Sequence, residues 1–175
     1  EMAIEILARQ QPVARDLRIV VSALRVSASL ERMGDMAEHI AQLTRLRFPE
    51  RAIGKGLKST FTRMGELDVE VSRKLTDLLR TEDLRLADEV RNADDDIDEL
   101  HAKVFEKLLS DKWRGEAPET VDAVLASRYH ERFADHAVSV AKKAVYLATG
   151  DWDVDDEVID AALEQLESAE TDADA

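Results

Sequence analysis

Residues 28–41 read ASLERMGDMAEHIA, and residues 128–141 read RYHERFADHAVSVA, with no gap and an offset of 100 positions. Glu31, Arg32, Asp35, Ala37 and Ala41 meet Glu131, Arg132, Asp135, Ala137 and Ala141. Met33 answers to Phe133, Gly34 to Ala134 and Ile40 to Val140, so residue size is kept as well. In each copy the apolar positions fall three or four apart, the period of a helix with one buried face. The stretch is therefore a duplicated helical unit, and the chemistry it repeats is a pair of carboxylates one turn apart.

Working outward, helical spacing continues almost without interruption. Residues 1–10 read as the end of a helix, broken at Pro12. A long helix is expected from Val13 to about Arg47, with Ile19, Ala23, Val26, Leu30, Met33, Ala37 and Ile40 as its core stripe, closed by Phe48-Pro49 and the Gly54/Gly56 pair. A second runs from about Lys58 to Arg80 on Phe61, Met64, Leu67, Val71, Leu75 and Leu78. Thr81 is expected to cap a third, carrying Leu86, Val90, Ile97, Leu100, Val104 and Leu108. A loop over 110–118 leads to a last long helix at 119–149, with Gly150 as its C′ residue. Residues 154–166 have the pattern of a further short helix, and the terminal SAETDADA reads as disordered.

The repeat places its motif on the third helix of a three-helix unit at about 57–150. The first copy supplies only that third helix and the stub of another, so an equal first unit needs about a helix and a half upstream. The expected fold is all-α, with tandem three-helix bundles of which the first is incomplete here. Residues 1–50 form the C-terminal part of the first repeat, 51–152 the complete second repeat, and 153–175 an acidic tail.

Composition bounds the function. The formal net charge over 175 residues is −14, the wrong sign for gripping nucleic-acid phosphates or an anionic membrane surface. It suits solubility, cationic partners and divalent metals. Without any Cys there are no disulfides, no thiolate nucleophile and no Cys-ligated zinc or iron–sulfur site. No apolar run approaches the length that crosses a bilayer, and no secretory signal stands at Glu1. A reducing cytosol is compatible with the lack of Cys.

Glu31 and Asp35, like Glu131 and Asp135, are i, i+4 neighbours that lie nearly opposite the core stripe, on a face expected to be accessible. A third cluster, Asp94, Asp95, Asp96 and Asp98, sits inside a helix, where Asp is a poor helix former and gains nothing from the dipole. Asp94 and Asp98 share the same i, i+4 spacing. Hard divalent cations favour such clustered oxygens. Among 38 acidic residues, a Glu-x-x-x-Asp is also simply a solvated face, with Arg25, Arg32, Arg128 and Arg132 at hand. His39 and His136 border the motifs without matching between copies, and like His101 and His130 they read first as ordinary helix residues. There is no phosphate loop, nucleophile elbow, HExxH or paired Glu-x-x-His, so catalysis is not expected. The Arg-rich run 9–18 is a candidate partner surface, and Trp113 and Trp152 read as helix-end packing.

Taken together, the segment Gln11-Pro12-Val13-Ala14-Arg15-Asp16-Leu17-Arg18, the E-R-x-[GA]-D blocks at Glu31–Asp35 and Glu131–Asp135, and the D-x-x-I-D run at Asp94–Asp98 resemble the PhoU family over about residues 1–152. Phe133 is a mild departure from the family's Ile or Met. The resemblance implies a cytoplasmic, six-helix, two-bundle protein that is not an enzyme. Family members repress the phosphate-starvation response when phosphate is plentiful. They are thought to bridge the ATPase subunit of a phosphate ABC transporter and a phosphate-sensing histidine kinase, and some form homodimers. The resemblance further implies iron or zinc clusters held by Glu31, Asp35, Asp94, Asp98, Glu131 and Asp135. The first-repeat counterpart of Asp94–Asp98 would precede Glu1. Outside this family, the residues also fit a structural or metal-handling bundle, or an accessory protein of another transporter.

Overall fold

A computed structural model describes residues 1–151, together with Ala161 and Glu164. The short helix expected at 154–166, the disordered SAETDADA and the role of Trp152 otherwise lie outside the described residues. Among those described there are five α-helices and no strand: α1 Met2–Gln10, α2 Ala14–Arg47, α3 Lys58–Thr81, α4 Arg85–Leu108 and α5 Ala117–Thr149. A 3-10 turn, Lys55–Leu57, leads into α3.

The helix ends follow from backbone chemistry. Between α1 and α2, Gln11 is left-handed and Pro12 offers no N–H, so the first helix cannot propagate into the second. Phe48 takes an extended ψ of 136° before Pro49, a residue that disfavours helix at the position preceding it. Gly150, at φ 82°, donates its N–H to Tyr146 O at 2.9 Å and ends α5 as expected. Thr81 does not cap α4. It is the last residue of α3, its hydroxyl donates back to Asp77 O at 2.8 Å, and left-handed Glu82 breaks the chain after it. Asp83 Oδ1 instead accepts the Arg85 N–H at 3.1 Å where α4 begins. The start of α5 falls at Ala117 because Pro118 belongs to its first turn, where a missing N–H costs nothing.

Helices α3, α4 and α5 form a three-helix bundle. Its centre holds Met64, Leu67, Val71, Leu75 and Leu78 from α3, Val90 and Ile97 from α4, and Phe133, Val140 and Val145 from α5. Ala134, Ala137 and Ala141, also buried, are small enough for α5 to be hemmed in on several sides. Leu57, Val104 and Ala123 close one end, where the Trp113 indole packs and donates to Thr120 Oγ1 at 2.9 Å. Trp113 thus has the helix-end role expected of it.

Helix α2 lies antiparallel against α5, and Met33 and Met36 enter the same core. Its expected stripe divides. Val26, Met33 and Ile40 are covered, whereas Ala23 and Ala37 are exposed, as are Ile19 and Leu30 at 46% and 41%. Ser22, Val26, Ser29, Met33, Met36, Ile40 and Leu43 are covered along one line, alternating steps of four and three, with Val20 buried beside it. That is a heptad seam, which selects two hydroxyl residues over neighbouring Ile19 and Leu30 because they lie on the line facing α5. Arg47 fixes the register, giving a bidentate ion pair to buried Asp122 at 2.5 and 3.1 Å. No helix among the described residues is long and apolar enough to cross a membrane.

Candidate carboxylate site

The α4–α5 contact decides where the second-repeat carboxylates point. On α4, Ala93 and Ile97 are buried, so Asp94 and Asp98, one residue further on, stand at the edge of the contact. On α5, buried His130 and Ala134 flank Glu131 at the opposing edge. The side chain of Glu131 keeps only 12% exposure and is bridged by Arg128, one turn earlier. Asp135, a turn later, remains exposed.

The four acids feel one another. Burial, then the negative charges of Asp98, Asp135, Asp95 and Glu131, push the Asp94 carboxyl up to about 7. Burial and then Asp135 also raise Asp98 and Glu131. Asp94 Oδ1 and Glu131 Oε2 are buried and without a hydrogen-bond partner. Buried carboxylate oxygens that repel one another and lack donors are in the situation a cation relieves. The all-oxygen donor set fits a hard divalent ion. As the side chains stand, no three His, Asp or Glu among the described residues converge closely enough to hold one.

The first-repeat pair is placed differently. Glu31 is exposed, and Asp35 is half-buried and bridged to Arg32 at 3.2 Å. Neither stands on the line of α2 that faces α5, and Glu31 is not covered as Glu131 is. The structure thus gathers Asp94, Asp98, Glu131 and Asp135 and leaves Glu31 and Asp35 apart. Expected accessibility holds for Glu31 but not for Glu131, because α4 packs over that edge.

The histidines have structural partners that the sequence did not signal. His130 Nδ1 meets Asp68 Oδ2 at 2.6 Å, joining α5 to α3 inside the bundle. His101 Nδ1 meets Ser127 Oγ at 2.6 Å, joining α4 to α5. The His39 ring lies 5.0 Å from that of Tyr129 across the α2–α5 seam. The one sequence signal for Asp68 is its spacing, four residues after Met64 and three before Val71, both buried.

The PhoU domain family model matches residues 1–44 and 61–144. The phosphate-specific transport system accessory protein PhoU homolog 2 of Mycobacterium tuberculosis is 39% identical over 150 residues, covering 86% of this chain and 70% of that protein. Homolog 1 of Mycobacterium leprae is 38% identical over 158 residues, covering 90% and 71%. The crystal structure of the phosphate transport system regulatory protein PhoU from Streptococcus pneumoniae superposes with a TM-score of 0.72 at 26% identity, over 88% of this chain and 72% of that one. PhoU from Pseudomonas aeruginosa gives 0.69 at 27% identity, over 85% and 72%.

Proposed function

This chain belongs to the PhoU family, and on that premise we propose that it is a non-enzymatic regulator of phosphate uptake and of the phosphate-starvation response. The observation that carries this reading is the family match across both repeats, with relatives named as accessory proteins of phosphate-specific transport. It acts as an adaptor at the inner face of the membrane, docking its helical surfaces on the transporter's ATPase subunit and on a phosphate-sensing histidine kinase. Docking biases the kinase toward its inactive or phosphatase state, which requires only that the two kinase states bind the adaptor with affinities differing by about 1–3 kcal/mol.

A metal belongs to this reading as a structural element. Asp94, Asp98, Glu131 and Asp135 would hold an iron or zinc ion of the second repeat, supported by the two orphaned buried oxygens. Glu31 and Asp35 are the first-repeat donors. Bound metal would supply positive charge that cancels the mutual repulsion of the carboxylates and ties α4 to α5.

The test is alkaline-phosphatase reporter activity in phosphate-rich medium. Deletion of the gene should raise activity, and the restored full-length gene should lower it again. Activity that stays low through deletion would reject the phosphate-signalling role and leave an accessory protein of another transporter or a metal-handling bundle.

A further inference from the structure

Helices α2 and α3 both pack on α5 rather than on each other, and near the C-terminal end of α2 a cleft of about 360 Å³ opens between them. Its walls are mostly apolar, with Ile40 and Leu43 from α2, Ile53 from the connection before α3, and Phe61 from α3. Small-molecule sites have this size and this make-up, an apolar lining around a few fixed polar groups. The walls also belong to both repeats, since α2 comes from the first and α3 and α5 from the second.

The polar group fixed in this cleft is His130. Its ring, on a residue only 6% exposed, is part of the lining and lies 5.9 Å from the ring of Phe61. Nδ1 is 2.6 Å from Asp68 Oδ2, so the proton sits on Nδ1 and is donated to the carboxylate. Nε2 is the polar atom left to offer the cleft, and it has no hydrogen-bond partner among the described residues. The ring is thus held in place from behind, with one nitrogen unpaired on an otherwise apolar surface. Such an atom is satisfied by whatever enters the cleft.

The chemistry of the occupant follows from that arrangement. One hydrogen-bonding atom among hydrocarbon walls matches a molecule with one polar group on an apolar body. Nε2 accepts a hydrogen bond when the ring is neutral and donates one when it is charged. A hydroxyl meets either state, because it is both donor and acceptor. A charged head group would lose its hydration between these walls. The lining's Lys58 stays exposed at the rim, in water.

We propose that this cleft binds a small neutral alcohol or phenol with a compact apolar body, its hydroxyl on His130 Nε2. Occupancy ties α2 to α3, and so one repeat to the other, which gives the protein a small-molecule input. This goes beyond the phosphate-regulator reading and does not depend on it.

Phenol and toluene, alike in size and differing in the hydroxyl, are the probes, followed by methyl NMR of the full chain. Phenol should shift the Ile40, Leu43 and Ile53 methyls saturably and bind about tenfold more tightly than toluene. His130→Phe with Asp68→Leu removes both members of the buried pair together and should bring the two probes to equal affinity. Gly65, which also lines the cleft, tests the location. A Cβ there meets nothing within 4 Å, and a helical side chain leans back over the preceding turn, where Phe61 stands. Gly65→Leu should therefore abolish phenol binding with helix content kept, and phenol binding that survives it overturns the proposal. So does the absence of saturable shifts at the three methyls, or equal affinity of the parent chain for phenol and toluene. These last two results come from the unaltered chain, so a variant that fails to fold leaves the test intact.

Discussion

Asp94 shows how one residue carries the strain of the carboxylate site. Its carboxyl holds a proton up to about 7 in the fold, against an ordinary 3.8. A group that binds its proton more tightly when folded stabilises most below the ordinary carboxylate range, and that benefit is lost as pH rises toward 7. Asp94→Asn removes the penalty without removing the side chain. In metal-free protein the variant should gain about 1 kcal/mol over the parent at about pH 8, roughly 3 °C in Tm, and almost nothing at about pH 4. A gain of equal size at both pH values would mean the charge is not the cause. His130 illustrates the opposite outcome at the same scale. It stands next to Glu131 in sequence, yet the turn of the helix sends it inward to Asp68, and it is a tie between helices rather than a neighbour of the carboxylates.

At the scale of elements, α2 is the instructive helix. It has apolar residues on more than one side, and the heptad line facing α5 is covered whereas Ile19, Leu24 and Leu30 are exposed. Met33, 6% exposed, and Leu30, 41% exposed, are three residues apart and differ in little but direction. Met33→Ala should cost roughly 3 kcal/mol by leaving a cavity, and Leu30→Ala less than about 1 kcal/mol. Urea unfolding of both variants, with unchanged denaturant dependence, measures the difference. Comparable losses would place Leu30 under a cover that the described helices do not provide. The exposed line continues into a shallow apolar groove between α2 and α3, with Leu30, Ala37, Leu75 and Leu79 on its walls and Phe133 beneath.

For the whole molecule, α5 is the organising helix, since α2, α3 and α4 all pack on it. The two copies of the repeated motif therefore have unequal surroundings: Glu131 is pressed against α4, and Glu31 faces outward. If metal orders this surface, the second repeat should dominate it. Asp98→Asn with Asp135→Asn should remove most of the bound iron or zinc, whereas Glu31→Gln with Asp35→Asn should leave the second-repeat ion in place. Elemental analysis of purified protein after chelation and reloading distinguishes the two. Equal retention by both variants would make the carboxylates a solvated face.

Helical content, the three-helix order of the second repeat and the carboxylate motifs were legible in the sequence because they rest on local rules. Period 3.6, Pro12, Phe48-Pro49 and Gly150 each act through their own backbone or near neighbours. The resemblance to PhoU was carried by the same short motifs, and the comparisons bear it out. Three things were decided by tertiary contact. Which stripe of α2 is buried depends on the position of α5, and apolar spacing alone offered two answers. The burial of Glu131 beside Asp94 depends on how α4 and α5 meet, which an i, i+4 rule on a single helix does not contain. The partnership of Asp68 with His130 joins residues 62 positions apart, and burial makes that link necessary, because neither group can be left inside the bundle without the other.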